Sequence, residues 1–138
     1  MRDLEIEPAD FRKQPVWRQA FRLTIDVYRL MGTFPSLERW DGLATLMRKA
    51  VSSMGAHIAE GCTHLGSAEG ALFFQMALGC TSELLHYMLV AKELAYVTQE
   101  QLDRIESQLA AVRRMIVVQL RDLGAEALPE PSLSSALR

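Results

Sequence analysis

Hydrophobic residues recur at steps of three and four along four stretches of the chain, which is the spacing of one face of an α-helix. The first stretch runs from about Asp10 to Met31, with its stripe at Trp17, Phe21, Thr24, Tyr28 and Met31. Asp10 suits an N-cap, and Pro15 falls near the first turn, where proline is tolerated. Gly32 followed by Pro35 predicts the end of this helix.

The second predicted helix begins after Ser36 as N-cap, with Glu38 favourable in its first turn. Its main stripe repeats at alternating steps of four and three, as in a heptad seam: Leu43, Met47, Ala50, Met54, His57 and Gly61. A second stripe widens the apolar face: Leu46, Ala50, Val51, Ile58 and Leu65. A helix that is apolar over such an arc packs on more than one side.

Two further helices complete the pattern. "LGS" at 65–67 interrupts it, and Ser67 is the predicted N-cap of the third helix, which ends near Tyr96. The stripe of that helix is Phe73, Met76, Cys80, Leu84, Tyr87, Ala91 and Leu94. Thr98 and Gln101 have the spacing of a capping box and start the fourth helix. Its stripe is Leu102, Ile105, Leu109, Val112, Ile116, Leu120 and Leu123.

These elements predict an all-α, up-down-up-down antiparallel four-helix bundle, because connections of a few residues make sequential helices antiparallel neighbours. A length of 138 residues suits one domain. We divide the chain into an acidic N-terminal segment (1–10), the bundle (11–123) and a flexible tail, "GAEALPEPSLSSALR" (124–138). So much apolar surface on the second helix, with Trp40 and Phe73–Phe74 at or beside the seams, also predicts an oligomer, for which a ring of identical subunits is one closed arrangement.

Composition places the chain among ordinary globular proteins, with 49% hydrophobic and 23% charged residues. No apolar run approaches the roughly 20 residues that span a bilayer, so no membrane partner is expected. The acidic N-terminus has no apolar signal region, and we expect a cytoplasmic protein. Cys62 and Cys80 match no zinc spacing and are interpreted as reduced core residues.

Charge is segregated along the chain. The net charge is −2, but the first ten residues carry −3, residues 11–31 carry +4 and residues 67–110 carry −4. In an up-down bundle the start of the first helix lies beside the end of the fourth. This brings together a basic group that suits the phosphates of RNA or DNA: Arg12, Lys13, Arg18, Arg22, Arg113, Arg114 and Arg121. Partial neutralisation by nearby acids is the competing interpretation.

Histidines and glutamates on the second and third helices raise the question of a metal site. Di-iron bundles use Glu-x-x-His on two helices and a glutamate from each of the others. Here Glu83 and His86 have that spacing, whereas His57 and Glu60 have it reversed, and the remaining helices have no carboxylate on their apolar stripes. We therefore favour a structural polar network over a metal centre, with the acids buried or interfacial and paired with arginine: Arg48, His57, Glu60, Glu83 and His86.

Catalytic motifs are missing from the sequence. It has no G-x-S-x-G elbow, P-loop, dinucleotide-binding glycine pattern or H-E-x-x-H. We therefore expect no enzyme, no cofactor and no bound metal.

"AVSSMGAHIAEG" and the stretch from "SAEGALFF" to "EQLDRI" resemble the four-helix bundle proteins of the 23S rRNA intervening-sequence family. The family's A-x-x-S-I-x-S-N-I-A-E-G is matched at Ala50, Ser53, Ile58, Ala59, Glu60 and Gly61. Upstream positions that fit are Trp17, Ala20, Tyr28, Phe34, Pro35, Glu38, Trp40, Leu43, Arg48 and Ala50. Downstream positions are Ala77, Gly79, Glu83, Leu84, Leu89, Ala91, Lys92, Leu94 and Tyr96.

The resemblance implies a homopentamer around a central opening. Related bundles are accessory proteins of retroelements that bind a reverse transcriptase and nucleic acid. Two departures stand out: Ala56–His57 replace the family's S-N, and "CTHLGSAEG" replaces its basic turn. We expect a non-catalytic homo-oligomer acting as an interaction, scaffold or accessory protein. The alternative is an RNA-binding accessory protein of a reverse transcriptase. A metal-binding bundle is a more remote alternative.

Overall fold

The computed structural model describes residues 10–122, apart from the side chain of Trp40. The acidic segment, except for Asp10, and the tail therefore lie outside the described residues. This part of the chain contains helices and no strand: a 3-10 turn at Phe11–Lys13, α1 (Pro15–Met31), α2 (Ser36–Trp40), α3 (Leu43–Thr63), α4 (Ala68–Glu93) and α5 (Gln99–Asp122).

The four long helices form an antiparallel bundle in which α1 packs against α3 and α5, and α4 packs against α3 and α5. Tyr28 and Ser52 share a hydrogen bond of 3.1 Å between their hydroxyls, and Thr24 lies beside Gly55. The numbering falls along α1 as it rises along α3, so the two helices are antiparallel. The predicted four-helix bundle is confirmed.

The core is a single cluster to which every long helix contributes. On α5 the predicted stripe is buried throughout its described length, from Leu102 to Leu120. On α3 the predicted seam is also buried, except for His57, which is half-buried.

The predicted stripes of α1 and α4 are wrong by one position for most of their length. On α1 the buried residues are Val16, Ala20, Leu23, Val27 and Met31, whereas Phe21 is 49% exposed. On α4, Phe74, Ala77, Thr81 and Met88 join Cys80, Leu84 and Ala91 inside, while Phe73, Met76, Tyr87 and Leu94 lie at the edge or outside. Most of the aromatic rings of these two helices therefore lie at the margin of the core, and Phe74 is the exception.

The predicted start of the first helix is corrected by the structure. Asp10 caps the 3-10 turn by accepting a hydrogen bond from the Arg12 backbone, and α1 begins at Pro15 after Gln14. Proline at the first helical position loses no hydrogen bond, because that N–H has no partner within the helix. Trp17 packs between the rings of Phe11 and Phe21, at centroid distances of 5.2 and 5.0 Å.

The second predicted helix is divided in two. Ser36 is the first residue of α2, after Pro35, and its side chain forms no capping hydrogen bond. The helical conformation is interrupted at Asp41 and Gly42 before α3 begins. Gly42 has φ of 123°, a conformation that favours glycine. The turn allows Glu38 to accept a hydrogen bond of 2.8 Å from the Leu43 amide, so α2 supplies the cap of α3.

The α2 junction is closed by aromatic packing. Phe34 is buried and its ring centroid lies 5.5 Å from that of Tyr96 at the end of α4. Burial raises the pKa of the Tyr96 phenol above its usual value, and the neighbouring Glu38 carboxylate adds to the shift.

The remaining two caps are as predicted. The Ser67 hydroxyl accepts a hydrogen bond of 3.0 Å from the Gly70 amide at the start of α4. Thr98 and Gln101 form the reciprocal capping box of α5, with bonds of 2.9 and 3.1 Å.

Close contact between α3 and α4 generates a first prediction. A methyl group at Gly61 would lie 3.0 Å from three atoms of the fully buried Phe74 ring. We expect Gly61→Ala to destabilise the fold by roughly 1–2 kcal/mol, because overpacking exceeds the gain in helix propensity. Urea denaturation measures the change. The matched control is Gly55→Ala, whose methyl would lie at an ordinary 3.8 Å from the Thr24 hydroxyl; equal stability of the two variants would contradict the prediction.

Candidate functional site

The histidines of α3 lie against an aromatic ring of α4. The rings of His57 and His64 stack on Phe73 with centroid distances of 6.1 and 6.4 Å. His64 Nε2 is 3.8 Å from a carboxylate oxygen of Glu60, one turn earlier. This places polar groups of α3 along the outer margin of the α3–α4 contact.

The predicted partner of the acids binds elsewhere. Arg48 donates hydrogen bonds to the Arg39 carbonyl at 2.8 Å and the Thr45 hydroxyl at 3.2 Å, so it secures the α2–α3 junction. Glu60 and Glu83 are exposed within the single chain. The predicted pairing with Arg48 and the burial of the acids inside one chain are therefore corrected, while an interfacial role for them stays a prediction.

A groove of about 330 Å³ runs between α3 and α4. It is lined by Leu46, Lys49, Ala50, Ser53, His57, Cys80, Glu83 and Tyr87. His57 and Glu83 thus share one groove, whereas His86 is exposed and its ring contacts Tyr87 at a centroid distance of 5.4 Å. The structure separates the five residues of the predicted network into smaller groups.

Metal-binding side chains are also dispersed. Among residues 10–122, no three His, Cys, Asp or Glu side chains are placed to hold a metal ion together. The contact between His64 and Glu60 is exposed, and exposed contacts of this kind contribute little to stability.

Both thiols lie in the core. Burial raises the pKa of Cys62 from 9.0 to about 11. Burial also raises the pKa of Cys80, and the charge of Glu83 adds to the shift. Since the thiolate is the nucleophile, both positions are poorly suited to thiol chemistry.

The Cys62 thiol gives a second prediction. In a Cys80→Ala variant at pH 8, we expect Cys62 to react with a disulfide reagent at least about 100-fold more slowly in the folded than in the denatured chain, because its thiolate fraction falls by that factor. The rate is expected to rise with pH up to about 11 instead of levelling near 9.0. Absorbance of the released thiol measures it. A folded-state rate within tenfold of the denatured rate would contradict the prediction.

The basic residues of α1 are partly engaged. Arg12 forms an ion pair of 2.9 Å with Asp10, and its guanidinium lowers the pKa of that carboxyl. Arg18 donates to the Arg12 carbonyl at 2.9 Å. Lys13 and Arg22 are exposed. Part of the predicted positive charge is therefore offset locally.

On α5 the predicted arginines diverge. Arg113 donates to the hydroxyls of Thr81 at 2.7 Å and Ser82 at 3.1 Å, so it is directed to α4 and away from α1. Arg114 and Arg121 are exposed. The contact between Gln108 and Asp26 sets an antiparallel register, which places the end of α5 level with the start of α1. In this register Arg114 and Arg121 lie in the same half of the bundle as the basic residues at the start of α1, whereas Arg113 is held against α4.

Two adjoining grooves between α1 and α5 were missed by sequence reasoning. One, of about 330 Å³, is lined by Phe21, Arg22, Ile25, Asp26, Arg29 and Gln108. The other, of about 360 Å³, is lined by Asp26, Arg29, Leu30, Thr33, Gln101, Arg104 and Ile105. We call the two together the α1/α5 groove. The seven-residue spacing of Arg22 and Arg29 was a signal that they share a face.

The α1/α5 groove also holds an unsatisfied polar atom. Gln108 donates its amide hydrogen to Asp26 at 2.9 Å, but its amide oxygen is buried without a hydrogen-bond partner. A buried acceptor left unpaired costs about 1–3 kcal/mol.

No helix in residues 10–122 is long and apolar enough to cross a membrane.

Comparisons with known proteins agree with this architecture. A family model described as 23S rRNA-intervening sequence protein matches residues 12–118. A solved structure from Bacteroides thetaiotaomicron, a protein of unknown function from the S23 ribosomal protein family, is similar with a TM-score of 0.70. The sequences are 15% identical over 77% of this chain and 95% of that one, so this likeness shows the fold. A comparison with curated proteins finds no match.

Proposed function

The chain belongs to the 23S rRNA-intervening sequence protein family, and we propose that it is a non-catalytic, homo-oligomeric bundle that acts as an interaction or scaffold protein. The bundle itself supplies the rigid framework, and the surfaces of its helices supply the contacts. A cytoplasmic location is part of this proposal.

The observation that carries the proposal is the apolar exterior of α4. Leu72 is 56% exposed, Met76 is 42% exposed and Leu89 is 50% exposed, although all three belong to one ordered helix. Helices that are apolar around their circumference are normally covered on all sides. Large exposed apolar patches mark interaction surfaces, so coverage by another chain is the physical solution.

Self-association gives a third prediction. Native mass spectrometry of the purified protein is expected to show a closed oligomer, and the resemblance implies five subunits. Oligomer mass should persist at high salt, because apolar burial is not screened by ions. A monomer at micromolar concentration in both native mass spectrometry and light scattering would overturn the proposal.

A second candidate function is nucleic-acid binding at the basic end of the bundle. It is favoured by the exposed Lys13, Arg22, Arg114 and Arg121, which the antiparallel register gathers toward one end. Arginine forks fit phosphate oxygens, and a ring of subunits repeats the group. In this role the protein is an accessory that brings nucleic acid to a protein partner, such as a reverse transcriptase.

The nucleic-acid candidate gives a fourth prediction. Fluorescence anisotropy with a single-stranded RNA is expected to show affinity that falls steeply between 50 and 200 mM salt. The double variant Arg114→Glu, Arg121→Glu should bind at least about tenfold more weakly and lower the salt slope by about 1.4, because two phosphate contacts to a single strand are lost.

The matched control for RNA binding is Lys49→Glu, which reverses an exposed charge on α3, beside the α3–α4 groove. Its affinity for RNA should stay close to that of the unmodified protein. Equal weakening in both variants, or none in either, would exclude the basic end as the binding site.

A further inference from the structure

Contacts within a single chain do not explain why position 79 is a glycine. It lies in the middle of α4 and is exposed, where glycine costs about 1 kcal/mol relative to alanine. A methyl group there would meet nothing within 4 Å, in contrast to Gly61, which the Phe74 ring requires. Inside the single chain, therefore, no packing constraint calls for a glycine at position 79.

Gly79 is the centre of a regular stripe. The residues at alternating steps of four and three along this face are Leu72, Met76, Gly79, Glu83, His86 and Val90. Val90 is half-buried and the other five are exposed. We call them the outer stripe of α4. The spacing is that of a helix seam that packs against other helices, and a small residue in such a seam lets another backbone approach closely.

The α1/α5 groove has the complementary shape and charge. It is concave, with Phe21 at one end, and Arg22, Arg29 and Arg104 along it are all exposed. The lining also includes the half-buried carboxylate of Asp26, which accepts a hydrogen bond from Gln108, so three arginines face one acid. No ion pair within 4.0 Å joins these arginines to a carboxylate of the described chain. The outer stripe, by contrast, lies on the exposed side of a single helix and carries the carboxylate of Glu83.

We propose that the outer stripe of α4 of one copy packs into the α1/α5 groove of a second copy. This inference rests on the proposed self-association and assigns it a surface. Leu72 and Met76 meet the apolar wall at Phe21, the backbone at Gly79 approaches the groove closely, and Glu83 faces Arg22 and Arg29.

The contact joins two different surfaces of the same chain. Each subunit then offers one ridge and one groove, and such a heterologous contact closes into a ring when the rotation between neighbours permits. A contact of one groove with another groove is disfavoured, because both surfaces carry an excess of arginine and repel each other. A symmetric contact of α4 with α4 is the competing arrangement, and it would pair the two stripes without arginine.

Filling the position of Gly79 tests the close approach. Because position 79 is exposed and a Cβ atom there meets nothing within 4 Å in its own chain, we expect Gly79→Leu to leave the subunit folded and to raise the dissociation constant of the oligomer at least about tenfold. Ser107→Leu, on an exposed position of α5, is the matched control and should assemble normally. Analytical ultracentrifugation gives both constants, and circular dichroism checks the helix content.

A charge swap tests which surfaces meet. Glu83→Arg and the double variant Arg22→Glu, Arg29→Glu should each assemble at least about tenfold more weakly, because like charges then face each other. Combining all three substitutions in one chain should restore assembly, since opposite charges again meet in every contact. Glu106→Arg, an exposed acid on α5, is the control for a change of net charge alone.

The outcomes separate the inference from the proposed function. A monomeric unmodified protein overturns both. If the oligomer persists in the Gly79→Leu and charge-reversal variants, the proposed function stands and this interface is wrong. If Gly79→Leu and Glu83→Arg weaken assembly but the arginine reversals have no effect, the symmetric α4 contact is supported. The proposed contact of α4 with the α1/α5 groove is then wrong. Rescue by the combined substitutions is the result that supports it.

Discussion

The close approach of α3 and α4 is the constraint on which the rest of the structure depends. A side chain at Gly70 would overlap the carbonyl oxygen of His64, and one at Gly61 would press on the Phe74 ring. The absence of these side chains brings the backbones together and buries Phe74 between them. Once Phe74 points inward, its neighbour Phe73 must lie at the margin, against His57 and His64. The same rotation of α4 turns Leu72, Met76 and Gly79 outward. A bundle with a wider α3–α4 spacing would have no reason to expose that face.

Sequence periodicity predicted the fold class, the α4 and α5 caps and the interiors of α3 and α5. It did so because polar residues on α5 leave one apolar stripe, so only one rotation of that helix buries it. On α4, apolar residues surround the helix, and stripes one position apart satisfy the same spacing. Packing against Gly61 decides between them, and that contact is 13 residues away in sequence.

The candidate sites were harder to predict than the fold. Arg48 was expected beside the acids, but it donates to a carbonyl and a hydroxyl at the α2 junction, whose break at Gly42 has no hydrophobic signature. Arg113 was expected at the basic end, but the hydroxyls of Thr81 and Ser82 hold it on α4. Such choices depend on local hydrogen-bond partners, which only the assembled bundle supplies.

The junction at α2 provides the molecule with an internal optical reporter. Glu38 holds the first turn of α3 and also lies beside the Tyr96 phenol, whose pKa is raised mainly by burial. Tyrosine absorbs differently once it ionises, so an alkaline titration of a Tyr28→Phe, Tyr87→Phe variant reads the environment of Tyr96. A shift of that transition toward the ordinary value would signal opening of the junction while the long helices remain intact. The protein thus carries, at the end of the bundle opposite the start of α1, a native probe of local opening that needs no label.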